Sequence, residues 1–100
     1  MIQIVNKRQG GHGEYIGRPS VLGNPFSVHE YGRKDCIELY REWLRDQWQD
    51  HGPARQALMQ LAQRYKAEKK LTLVCWCAPE RCHGEIVKEA ICGIIKKGLV

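Results

Sequence analysis

The sequence predicts a minimal layered α/β domain with two or three strands, including a parallel central pair, and three helices. Two apolar, β-branched runs, Ile2-Gln3-Ile4-Val5 and Leu71-Thr72-Leu73-Val74-Cys75-Trp76, stand far apart with helical periodicity between them. A third helical pattern follows the second run. Strands joined by a long helical crossover pair in parallel with a right-handed connection, so this order sets the class. At 100 residues, with 43% hydrophobic and 27% charged side chains, the chain has material for one core and is neither fibrous nor disordered in composition. A single domain over 1–100 is expected.

Ile2 to Val5 alternates and is β-branched, which suits a short strand, and Lys7, Arg8 and Gly10-Gly11 follow it directly. From Gly10 to Asn24 the breakers Gly10, Gly11, Gly13, Gly17, Pro19 and Gly23 exclude a helix, although Glu14-Tyr15-Ile16 suits a brief edge strand with a hairpin over 13–17. So much irregular backbone in a short chain points to function. Asp35-Cys36-Ile37-Glu38 has capping-box spacing and starts the first helix, whose apolar face is Ile37, Tyr40, Trp43 or Leu44, and Trp48. Gly52-Pro53 ends it and opens the second helix, with Leu58, Leu61, Ala62 and Tyr65 as the stripe. Leu71 to Trp76 is almost continuously apolar, as a central strand covered on both faces should be. Ile86, Val87, Ala90, Ile91, Ile94 and Ile95 then recur at helical spacing, with Glu85 at the favourable start and Lys96-Lys97 at the favourable end.

The formal charge is +5, and all of the excess lies in 51–100, with nine basic and four acidic residues against seven and seven in 1–50. A basic half favours an anionic partner, and it is equally the solubility charge of a small domain. The second helix concentrates it in Arg55, Arg64, Lys66, Lys69 and Lys70, beside a first helix that carries Asp35, Glu38, Glu42, Asp46 and Asp50. Attraction between the two helices and a face that contacts nucleic-acid phosphates both explain this pattern. Five cysteines is an odd number, and Cys75, Cys77 and Cys82 crowd into one segment, which suits reduced thiols and a cytoplasmic location. The run Ala90 to Ile95 falls far short of the roughly 20 residues of a bilayer span, and Met1-Ile2-Gln3 opens no signal peptide. No membrane partner is expected.

Ligands of open α/β sheets sit outside the carboxyl ends of parallel strands, near helix N-termini that favour anions. Cys75 to Gly84 occupies such a place. Cys75 and Arg81 have the spacing of phosphate loops in cysteine-dependent phosphatases, but Pro79 removes an amide donor that such a loop needs. Cys82 and His83 fall at the start of the last helix, where a thiol is acidified and an imidazole assists it, so Cys82, His83 and Cys75 are the candidate catalytic groups. As plain structure, Cys75 and Cys77 are small core residues and His83 caps a helix. The same four residues are soft metal ligands, yet Cys-x-Cys with an adjacent Cys-His strains tetrahedral closure. No metal or other cofactor is expected, with zinc as the alternative.

The segments Tyr15-Ile-Gly-Arg-Pro-Ser-Val-Leu-Gly-Asn-Pro-Phe26 and Cys75-Trp-Cys-Ala-Pro-Glu-Arg-Cys-His-Gly84 together resemble an uncharacterised family of bacteria and phages, domain-of-unknown-function family 4326. The resemblance runs over almost the whole chain and takes in Tyr40-Arg-Glu-Trp-Leu44. It implies pattern positions at Gly17, Arg18, Ser20, Gly23, Asn24, Pro25 and Phe26 in the loop. In the second motif it implies Cys75, Trp76, Cys77, Pro79, Cys82, His83 and Gly84, with Arg81 outside the pattern. It implies no activity.

A 17–26 loop that leaves the first strand at the edge where Cys75 leaves the second folds over the strand ends. Arg18 then offers a planar fork to phosphate or carboxylate, Ser20 and Asn24 offer short hydrogen-bonding groups, and Trp76 or Phe26 a face for a base. The expected function is binding of a nucleotide or related phosphorylated small molecule between the 17–26 loop and the 75–84 strand-loop-helix. Its binding residues are Arg18, Ser20, Asn24, Phe26, Trp76 and Cys77, with chemical modification by Cys82, His83 and Cys75 left open. The alternatives are a nucleic-acid module using Arg55, Arg64, Lys66, Lys69 and Lys70, a sequestering protein without catalysis, and a small zinc protein. A two-stranded core with three tryptophans also suits a homodimer.

Overall fold

Leu71–Cys75 (β3) is the middle strand of a sheet of order β1-β3-β2, flanked by Ile2–Asn6 (β1) and Glu14–Tyr15 (β2). The computed structural model describes residues 1–76 and 83–100; residues 77–82 and the Val28 side chain lie outside that description. Both outer strands run parallel to β3, β1 in the register Ile2↔Leu71 to Asn6↔Cys75 and β2 in the register Glu14↔Leu73 and Tyr15↔Val74. The β1–β3 pair is the predicted parallel pair. The predicted edge strand is also present, but it forms no hairpin. It lies beyond β3 and in parallel, because the second edge of β3 is where its backbone finds partners, continued by a bond from Ile16 N to Val74 O at 2.9 Å.

Alternation sends Ile2, Ile4, Leu71, Leu73 and Cys75 to one face of the sheet. Most of these are buried in one cluster with Tyr40, Leu44, Leu58, Ile86, Val87 and Ile91, so the helices cover that face. The opposite face, with Val5, Thr72 and Val74, is approached by the chain that connects β1 to β2. A Cβ on Gly11 would stand 2.5 Å from Val5 Cγ2, and one on Gly13 would stand 2.5 Å from Thr72 O. This backbone lies closer to the sheet than a side chain permits, and Gly13 has a φ of 153°, which L residues rarely adopt. The predicted coverage of β3 on both faces is therefore met by helices on one side and a glycine-rich segment on the other.

The first helix, Val28–Gln49 (α1), starts earlier than the capping-box spacing predicts. Ser27 Oγ accepts from His29 N at 3.1 Å, and Gly32 (φ 76°, ψ 161°) then interrupts the helix. Asp35 falls in the first turn after the interruption, where a carboxylate meets the helix dipole favourably without being the cap. Pro53–Glu68 (α2) begins as predicted, with Pro53 following the N-cap Gly52, and ends at Lys69 with φ 60°. Gly84–Lys96 (α3) has Glu85 in its first turn and Lys96 in its last. Ile37, Tyr40, Leu44, Leu58, Leu61, Ala62, Ile86, Val87, Ile91 and Ile94 are buried, while Trp43, Trp48, Tyr65, Ala90 and Ile95 pack at the margin. One cation from each of α1 and α2 pairs with a carboxylate of another element. Arg41 Nη1 meets Glu89 Oε2 of α3 at 2.7 Å, and Arg64 pairs with Glu14 of β2 and with Glu68. No helix among the described residues is long and apolar enough to cross a membrane.

The close approach of the connection to the sheet predicts opposite effects at two glycines. Gly13→Ala should lower the unfolding free energy by about 2 kcal/mol or more, from backbone strain and the collision with Thr72. Gly93→Ala, with open space at its Cβ in α3, should raise it by about 0.5–1 kcal/mol. Urea denaturation of the two variants measures both, and a Gly13→Ala midpoint equal to wild type would contradict the close approach.

Candidate functional site

Because all three strands are parallel, their carboxyl ends share one edge of the sheet. β1 leads there into a single 3₁₀ turn, Lys7–Gln9, capped by Asn6, whose Oδ1 accepts from Arg8 N at 2.8 Å. Asn6 Nδ2 donates to Trp76 O at 3.1 Å and so joins the ends of β1 and β3. The turn brings two cations to two rings. Lys7 Nζ stands 4.7 Å from the Tyr15 ring centroid and 5.7 Å from that of Trp76, and the Arg8 guanidinium carbon is 5.5 Å from the Trp76 centroid. Trp76 Nε1 donates to Tyr15 Oη at 2.7 Å, and Tyr15 Oη donates to Arg18 O at 2.6 Å. Trp76 nevertheless remains 44% exposed.

The 17–26 loop starts from this edge, and polar side chains hold it in place. Arg18 donates from Nε to Asn24 O at 2.7 Å and from Nη2 to Phe26 O at 3.0 Å. Asn24 Oδ1 accepts from Phe26 N at 2.9 Å, and Asn24 Nδ2 reaches Cys36 O at 3.3 Å and Cys36 Sγ at 3.2 Å. The Cys36 thiol donates to Phe26 O at 3.0 Å, and the buried Tyr40 hydroxyl donates to Leu22 O at 2.7 Å. Carbonyls that lack a strand or helix partner are satisfied in this way. Ser20 Oγ stands apart: it is buried and has no hydrogen-bond partner among the described residues.

His83, directly before α3, is buried with Nε2 2.6 Å from Ile16 O, and its ring meets that of Tyr40 edge-on at 5.0 Å. A carbonyl only accepts, so Nε2 carries the proton and Nδ1 the lone pair. Burial chiefly, with the nearby positive charge of Arg18, holds the imidazole pKa below its ordinary value, and the bond to Ile16 O opposes that shift. The ring is therefore neutral at neutral pH.

Of the residues singled out in the sequence, Arg18, Ser20, Asn24, Phe26, Trp76 and His83 are gathered in or beside this loop and edge. Cys77 and Cys82 lie outside the described residues. Cys75 is wholly buried in the core, the position of a packing residue rather than of a thiol that a substrate reaches. Arg18 and Asn24 aim their polar groups at the loop's own backbone and at Cys36. Phe26 packs edge-on against Tyr31 at 5.9 Å. Sequence reasoning missed Lys7, Arg8 and Tyr15 as neighbours of Trp76; the basic pair directly after a strand was the available signal. On α2, Arg55 stacks on Trp48 at 4.3 Å, Arg64 is held by Glu14 and Glu68, and Lys66 Nζ donates to Val100 O at 2.7 Å. Among the described residues no group of three or more His, Cys, Asp or Glu is placed to hold a metal ion.

A family model described as Domain of unknown function (DUF4326) matches residues 3–93, which include both the loop and the strand-to-helix segment. The chain belongs to that family. No curated protein and no solved structure matches it. The loop and edge described above thus lie within the DUF4326 region, and so does the buried histidine.

A neutral, buried His83 makes this DUF4326 fold sensitive to acid. An unfolded imidazole titrates near 6.5, roughly, and the folded one lower, so the unfolded chain takes up the proton first. Stability is then fully present above about pH 6.5 and is lost as pH falls through the folded pKa. The urea midpoint should drop between pH 7 and pH 5, and His83→Gln, whose amide keeps a donor for Ile16 O, should flatten that drop. An identical slope in the variant would show that another group is responsible.

Proposed function

We propose that the strand-end face binds a nucleotide or a closely related phosphorylated small molecule, with its base on Trp76 and its phosphate between Lys7 and Arg8. The observation that carries this is an exposed indole with one cation at 5.7 Å and another at 5.5 Å, at the edge where parallel sheets hold their ligands. A base stacked on an aromatic ring contributes about 1–3 kcal/mol whatever its identity, and phosphate accepts charge-assisted hydrogen bonds from Lys and Arg. Ser20 Oγ, which has no hydrogen-bond partner among the described residues, is a further hydrogen-bonding group of the loop. Arg18 and Asn24 keep the loop in shape in this scheme, so their contribution to binding is indirect. Turnover of the ligand would fall to His83, whose Nδ1 is a proton acceptor, and to Cys82, the residue before it in sequence. Nucleic-acid binding through α2 has less support, since Arg55, Arg64 and Lys66 already have partners within the chain.

Calorimetry and thermal-shift assays with AMP, GMP, CMP, UMP and ribose 5-phosphate test the proposal. One or more nucleotides should bind saturably, one to one, and raise the melting temperature by mass action. Trp76→Ala should weaken that binding by about 10- to 100-fold, corresponding to loss of one stack. The double variant Lys7→Glu/Arg8→Glu should abolish it, and Lys69→Glu/Lys70→Glu should leave it unchanged. Ribose 5-phosphate binding as tightly as the nucleotides would remove the stacking role. No shift with any of them at millimolar concentration would overturn the proposal.

A further inference from the structure

We infer that the groove between α1 and α3 is a docking site for an acidic amphipathic helix of a partner protein. The groove has a volume of about 440 Å³, and its floor is apolar, made by Leu44 and Trp48 of α1, Leu58 of α2 and Ile94 of α3. Leu99, just past α3, stands at its edge and is 48% exposed. The rim is cationic. Glu89 is the acidic residue lining the groove, and Arg41 neutralises it across the gap at 2.7 Å. Arg45 and Lys97, which also line the groove, have no side-chain hydrogen bond or ion pair among the described residues. The groove therefore presents two uncompensated positive charges above an apolar floor.

Charge and shape together select the occupant. An apolar floor flanked by free cations matches a segment with apolar residues on one face and carboxylates beside them. Two helices with a gap between them offer the ridges and grooves into which a third helix packs, and Gly93 leaves open space where a side chain would otherwise intrude. The site is open to solvent, which suits a helix lying in it better than a small molecule that needs enclosure. Its concavity disfavours a flat bilayer.

Selection of a random library of stapled helical peptides against the full chain tests the inference. The expected result is a consensus with apolar residues at i, i+3 or i+4, and i+7, flanked by Asp or Glu, and one-to-one binding. Arg45→Gln with Lys97→Gln should weaken the selected peptides at least tenfold while the variant still unfolds in one cooperative transition. A basic or neutral consensus, undiminished binding to the double variant, or no peptide directed to the groove would overturn it. So would a concentration-dependent dimer that Leu99→Glu abolishes, which would make a second copy the occupant. Binding to phosphatidylglycerol vesicles that is lost in the double variant would assign the groove to a membrane surface instead.

Discussion

The backbone of Leu71–Cys75 is bonded to a parallel strand on each side, and that double pairing decides where the rest of the chain can run. Parallel neighbours usually need a crossover of about a dozen residues or more, commonly a helix. Here residues 7–13 alone separate β1 from β2, and the two are not neighbours: β3 lies between them. A connection this short must hug the sheet, and Gly11 and Gly13 supply the missing side chains where it meets Val5 and Thr72. Parallelism then collects all three carboxyl ends on one edge, together with the Lys7–Gln9 turn and the beginning of the 17–26 loop. The position of the candidate site thus follows from backbone pairing before any functional side chain is considered.

Once the loop is placed there, its carbonyls need donors, and this requirement absorbs polar residues that would otherwise look like ligand contacts. Arg18 uses its fork on Asn24 O and Phe26 O, Tyr40 serves Leu22 O, Cys36 serves Phe26 O, and His83 serves Ile16 O. Each bond removes the desolvation cost of a carbonyl without a secondary-structure partner. Arginine suits the double task at position 18 because its guanidinium presents two donors in a fixed plane, which lysine lacks. The side chains left facing outward are the ones the loop does not need. Lys7 and Arg8 belong to that set, and Trp76, which reaches the loop through Tyr15 Oη, still leaves its ring 44% exposed.

Much of this fold was legible in the sequence because burial has a period. Tyr40, Leu58 and Ile91 could be placed on buried helix faces from spacing alone, and the β-branched runs at Ile2 and Leu71 marked the parallel pair. The partner of Glu14–Tyr15 was not legible, since two residues cannot state which edge they join, and a hairpin was the shorter connection. Asp35 and Glu38 have the spacing of a helix start, yet the hydroxyl of Ser27 supplied a cap eight residues before Asp35, and Gly32 supplied the interruption. The candidate site was legible as a location, because Arg18 and Trp76 both flank strand ends. The division between side chains that hold the loop and those that face solvent was not, because it depends on which carbonyls the tertiary fold leaves unpaired.

Electrostatics bears on the ligand proposed above. The chain carries +5 overall, but charges separated by more than the screening length of about 8 Å at physiological salt act locally. What matters is which cations stand together without an ion pair or side-chain hydrogen bond among the described residues. On α2, Arg64 answers Glu14 and Glu68, Lys66 is tied to Val100 O, and Arg55 Nη1 donates to Trp48 O. That helix offers no unbroken row of cations for duplex DNA, which presents about one charge per 1.7 Å of axis. At the strand ends, by contrast, Lys7 and Arg8 both flank one exposed ring, a compact charge suited to a single phosphate group beside a single base. The same reasoning that weakens a polymer interface on α2 therefore supports the proposed binding of a mononucleotide-sized anion at Trp76.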